Sequence, residues 1–161
     1  MSPAPAATAR PGPAPSDRRP DPGHCASATL APGPASAATA RHITRDALTR
    51  WNLDALTDDA QLITSELTAN AIAATPPGSP APAIILSLRY TPPNLTIRLW
   101  DIGPGQPQPP DPAHDDENGR GLLLIDHLTG HNWGWWPCPR SGGKVVHATL
   151  TNPDQPHQDT P

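Results

Sequence analysis

Glu66 and Asn70 stand one helical turn apart in the stretch Leu62-Ile63-Thr64-Ser65-Glu66-Leu67-Thr68-Ala69-Asn70-Ala71-Ile72, a carboxylate and an amide among apolar neighbours. At about 100° per residue, with Glu66 as the origin, Asn70 falls at about 40°, Ile63 at about 60° and Leu62 at about −40°. Both polar residues are therefore expected on the core-seeking side, with Gln61, Thr64, Ser65 and Thr68 on the solvated side. Burying a carboxylate is costly unless something compensates it. A carboxylate held in this way can orient or deprotonate a nucleophile. The amide oxygen of Asn70 is a hard ligand suited to Mg²⁺. The ordinary alternative is a salt-bridged pair, with Arg98 or Arg41 supplying the cation.

A second acid shares this anomaly. Leu95, Ile97 and Leu99 alternate with Thr96, Arg98 and Trp100, and Asp101 is in phase with the apolar set. It is expected at the end of a buried strand face, either bonding to a turn or offering a fixed acceptor to a ligand's amino group. Regular patterning then stops. Gly103 and Gly105 begin a long Pro- and acid-rich segment, and Gly119-Arg120-Gly121 opens a short apolar helix expected at 122–128. Glycines permit close backbone approach, and free N–H groups at a helix start favour phosphate. Taken together, the two acids, the amide and the glycine-flanked loop describe a nucleotide pocket.

The elements that must position these groups follow from periodicity. A weak strand is expected at 25–30 and a helix at 36–51, with Ile43, Ala47, Leu48 and Trp51 on one stripe. Asn52 closes that helix, and Thr57 is the expected N-cap of the next, with Asp58 and Asp59 in its first turn. Pro76-Pro77-Gly78 stops it. Strands at 84–90 and 95–101 are joined through Thr91-Pro92-Pro93-Asn94, where the prolines exclude a primed two-residue turn. A final pair is expected at 132–136 and 144–150, with Val146, Ala148 and Leu150 facing inward. Trp133, Trp135 and Trp136 are read as large core residues. Strands with one apolar face each argue for an α/β (α+β) two-layer sandwich, a mixed sheet covered on one face by about three helices.

The chain's 161 residues allow one domain with tails. Its 25 prolines, about three times average usage, cluster at the ends and in the loops. Residues 1–24 are expected to be a disordered tail, 25–151 the domain, and 152–161 a second tail. A net charge of −4 gives no electrostatic case for nucleic acid or an anionic membrane. Cys25 and Cys138 do not make a disulfide scaffold, and no apolar run reaches a membrane span, so a reduced cytoplasmic setting is expected.

The motifs resemble the Bergerat-fold (GHKL) ATP-binding domain shared by gyrase, histidine kinases and MutL. The chain is most similar to the stand-alone anti-sigma-factor serine/threonine kinases of bacterial partner-switching systems. Glu66-Leu67-Thr68-Ala69-Asn70-Ala71 resembles the N box, Asp101-Ile102-Gly103-Pro104-Gly105 the first glycine box, Gly119-Arg120-Gly121-Leu122 the second, and Gly143-Lys144-Val145-Val146-His147-Ala148-Thr149-Leu150 the usual last strand, the resemblance covering roughly residues 25–151. The resemblance implies ATP and Mg²⁺ as cofactors. It makes Asn70 the Mg²⁺ ligand, Glu66 the catalytic base or water-positioner, and Asp101 the contact to adenine N6. Gly103, Gly105, Gly119 and Gly121 would frame a lid at about 103–119 over the phosphates. Arg120 joins this cofactor-binding set as a lid-contacting residue rather than a catalytic finger. The implied partner is a sigma factor or an anti-sigma-factor antagonist, and relatives of this kind are often homodimers. The alternative is a catalytically weak or inactive nucleotide- or partner-binding module of the same fold. Ala73 and Ala74 depart from the pattern, standing where relatives often carry a basic residue and a His.

Overall fold

Alternating apolar residues produce five strands, and every neighbouring pair of them is antiparallel. The computed structural model describes residues 23–79, 83–107 and 117–155. The expected N-terminal tail up to residue 22, most of the expected lid and residues 156–161 lie outside these. The elements run β1 (His24–Leu30), α1 (Ser36–Arg50), α2 (Thr57–Ala74), β2 (Ile84–Thr91), β3 (Asn94–Asp101), α3 (Glu117–Leu128), β4 (Trp133–Pro137) and β5 (Lys144–Thr151). The sheet order is β1-β2-β3-β5-β4.

The two-layer α+β sandwich is as expected; the sheet is antiparallel throughout rather than mixed. Two helices separate β1 from β2. A single crossover helix would return the chain parallel, whereas a pair returns it reversed. β3 and β4 are linked by one crossover helix and run in the same direction, but β5 lies between them and opposes both.

One sheet face is packed under the helices. Ile84, Leu86 and Leu88 of β2 and Leu95, Ile97 and Leu99 of β3 are essentially inaccessible, as are Ala148 of β5 and Ile63 of α2. A fully buried side chain of this size contributes about 1.5–3 kcal/mol through burial. Asn52, at φ 56, ends α1 in the left-handed region that Asn tolerates, as expected.

α2 packs both on the sheet and against α1, and this corrects the expected faces. Thr64 and Thr68, expected to be solvated, are wholly buried, while Leu62 is 40% exposed. A hydroxyl bond of 3.1 Å between Thr44 and Thr64 joins the two helices, and Thr68 Oγ1 donates to the Thr64 carbonyl at 2.7 Å. A helix packed on two sides buries two stripes, so its open edge shifts toward Leu62, Ala69 and Ala73. Thr57 is not a cap. A 3₁₀ turn, Asp54–Leu56, runs straight into α2, which has no side-chain cap bond, and Thr57 Oγ1 is buried without a partner. The β2–β3 loop is only Pro92 and Pro93, with a cis bond between them and no primed turn. Asn152, assigned to the tail by sequence, is buried; its N–H donates to the Pro93 carbonyl at 2.8 Å and its Nδ2 to Tyr90 Oη at 3.2 Å.

Candidate nucleotide site

β3 delivers Asp101 to the core face by strict alternation, and the residue is 2% exposed. Its carboxylate takes two hydrogen bonds on one oxygen. The Gly103 N–H reaches Oδ1 at 2.8 Å and Lys144 Nζ reaches it at 2.8 Å, Nζ also donating to the Gly103 carbonyl at 3.2 Å. Asp101 therefore does bond to its turn, as the ordinary reading required, yet no hydrogen bond among the described residues uses Oδ2. Lys144, 5% exposed, lines the same cavity and is the site residue that sequence reasoning did not single out. It begins β5 in phase with Val146, Ala148 and Leu150 and pairs directly with Asp101 in register. Extending the inward row by one step would have found it.

Gly103 can only be glycine here. A Cβ would stand 2.3 Å from the carbonyl oxygen of Ala74, because the loop leaving β3 passes against the end of α2. Gly105 has φ +87, in the left-handed region glycine adopts freely. A cavity of about 270 Å³ opens here. Leu67, Asn70, Ala71 and Ala74 of α2 form one wall and Leu99, Asp101, Lys144 and Val146 the sheet floor. Pro104, Gln106 and Leu122 close its sides. This is a concave apolar site with a few convergent polar groups, as small-ligand pockets require.

Glu66 and Asn70 are half-buried on the same edge of α2. Neither side chain hydrogen-bonds or ion-pairs with another described residue. The salt-bridge alternative is not realised. Arg41 Nη1 donates instead to Ser65 Oγ at 2.9 Å, and Arg98 stands 5.6 Å over the Trp136 ring on the sheet's other face. Asn70 lines the cavity; Glu66 does not, lying one turn earlier with its carboxylate against Gly121. A Cβ on Gly121 would meet Glu66 Oε2 at 2.3 Å.

α3 starts at Glu117 rather than at residue 122, so Gly119, Arg120 and Gly121 occupy its first turns instead of preceding it. Arg120 is exposed on that helix. Of the expected set, the structure brings Asn70 and Asp101 to the cavity and Glu66 with Gly121 to its rim, and Gly103 and Gly105 flank Pro104 in its wall. Trp136 does not join the core as expected; it packs on the outer face against His147, ring centroids 5.1 Å apart.

Residues 30–132 match the family described as histidine kinase-like ATPase domain, which is more than half of the chain. The chain belongs to this family, an ATP-binding domain of the GHKL type. No match was found among curated proteins. No helix of the described residues is long and apolar enough to cross a membrane.

Proposed function

We propose that this chain is an ATP-dependent serine/threonine protein kinase of the anti-sigma-factor type. In this reading adenine enters the cavity with its N6 amino group on Asp101 Oδ2. The observation that carries it is a pair of half-buried side chains, Glu66 and Asn70, one turn apart at the cavity's edge and without a hydrogen-bond or ionic partner among the described residues. Such groups are retained against their desolvation cost when a ligand completes them.

The unbonded amide oxygen of Asn70 fits a hard cation, and Mg²⁺ held there would neutralise phosphate charge. Glu66 accepts the proton of a partner's Ser or Thr hydroxyl. The hydroxyl oxygen forms the new bond to the γ-phosphorus, the bond from that phosphorus to the bridging β–γ oxygen breaks, and ADP leaves. Asp101 and the loop of Gly103 and Gly105 hold the nucleotide in line. The partner would be an anti-sigma-factor antagonist or a sigma factor.

Titration with ATP, with and without Mg²⁺, tests the pocket. Asn70→Ala and Asp101→Asn are expected to weaken binding by about tenfold or more, the scale of a hydrogen bond to a charged group; unchanged affinity in both variants would overturn the assignment. Transfer of γ-phosphate to a co-encoded partner tests turnover. Glu66→Gln should abolish most transfer while ATP still binds, and a full wild-type rate would remove Glu66 from the mechanism.

A second reading, binding without efficient turnover, is favoured by one observation. Among the described residues lining the cavity the sole cation is Lys144, at the floor with Asp101, and Ala73 on the exposed edge supplies none. Unaltered nucleotide after long incubation with partner would select it.

A further inference from the structure

Lys144 lies beyond the residues that match the family and is more deeply buried than a lysine ordinarily is. Its charge is matched by Asp101, 2.8 Å away, across the β3–β5 register. An ammonium has three N–H donors. Nζ uses one on Asp101 Oδ1 and one on the Gly103 carbonyl, and no third acceptor bonds it among the described residues. Asp101 keeps Oδ2 likewise. Both residues line the cavity between α2 and the sheet. Among the described residues the floor thus sets an unused acceptor beside an unused donor, on two side chains that are themselves almost wholly buried.

The Watson–Crick edge of adenine carries the complementary pair, an N6 amino donor next to the N1 acceptor, and proteins read unpaired bases on this edge. We infer that Lys144 is a second base-reading residue, donating to adenine N1 while Asp101 accepts from the N6 amino group. This rests on the nucleotide assignment proposed above. Lys144 then has two tasks. It compensates the buried Asp101 charge, and it turns a site that tests only the amino group into one that tests N1 as well.

A lysine that merely neutralised Asp101 would be indifferent to the atom at position 1 of the base. The decisive comparison is therefore made on the ligand. Dissociation constants are measured for ATP and for 1-deaza-ATP, which keeps the 6-amino group and replaces N1 by CH. The wild-type chain is expected to bind 1-deaza-ATP about tenfold or more weakly than ATP. Lys144→Met should bind the two equally. Because that change strands the Asp101 carboxylate, the neutral pair Asp101→Asn with Lys144→Met serves as a second background, and it too should lose the preference. Equal wild-type affinity for the two nucleotides, or an undiminished preference in a folded variant, overturns the role of Lys144 while leaving the pocket standing. A wild-type chain that binds neither nucleotide overturns the pocket as well. The wild-type comparison requires no substitution, so the inference stays testable if either variant fails to fold.

Discussion

Gly121 offers a way to disturb Glu66 without removing it. A methyl group there would meet Oε2 at 2.3 Å, and the carboxylate, at the end of a flexible side chain, can swing away. Gly121→Ala should therefore leave the fold intact, since Ala is the better helix former by about 1 kcal/mol. Misplacing a catalytic group by about an ångström costs up to about 100-fold in rate. With Glu66 as the base of the proposed kinase, the expected outcome is a loss of phosphotransfer on that scale, with ATP affinity nearly unchanged and a melting temperature equal to or above wild type. Unimpaired transfer would show that the position of Glu66 against α3 does not matter to turnover. The same contact explains why sequence placed the helix start too late. Glycines at 119 and 121 read as loop, yet both lie within α3, and at 121 the space a Cβ would fill is taken by Glu66.

At the scale of elements, α2 is held from two sides, and the Thr44–Thr64 bond is the polar part of its contact with α1. Both residues are wholly buried. Replacing one by Val leaves the other hydroxyl without that partner, which costs about 1–3 kcal/mol, whereas replacing both with a residue of the same shape can be nearly neutral. Urea unfolding of Thr44→Val, Thr64→Val and the double variant should give a double mutant more stable than at least one single. Strict additivity would show that the hydroxyls act independently. This interface was illegible in the sequence. A one-sided amphipathic helix predicts Thr64 and Thr68 in solvent, and only the docking of α1 makes that face interior. The placement of Asp101, by contrast, was legible, because strand alternation is strict and a single buried face fixes it.

Across the molecule the sheet has a second face that the helices do not cover, and it titrates. His147 stands there on β5, its pKa lowered first by burial and then by the nearby Arg98 guanidinium. The unfolded chain thus binds a proton at a higher pH than the folded one does. The stability this group contributes is fully present above its unfolded value, about 6.5, and is lost as pH falls through the lower folded value. Chemical denaturation between pH 7.5 and 5 should show stability dropping on the acid side, and His147→Gln should flatten that part of the profile. An unchanged slope in the variant would assign the dependence to other groups.

The sequence by itself determined the two-layer class, the order of the elements, and the inward direction of Asp101, since periods of 2 and 3.6 state which face each side chain takes. Through the order of its motifs it also pointed to an ATP-binding domain, which the family match bears out for residues 30–132. Tertiary structure decided what those directions meet. The insertion of β5 between β3 and β4 sets Lys144 opposite Asp101. The docking of α1 buries Thr64, and the close passage of α3 sets Gly121 on Glu66. None of these is written in local pattern, because each depends on which distant segment arrives beside a residue, and the spacing of residues along a chain does not state its neighbours in space.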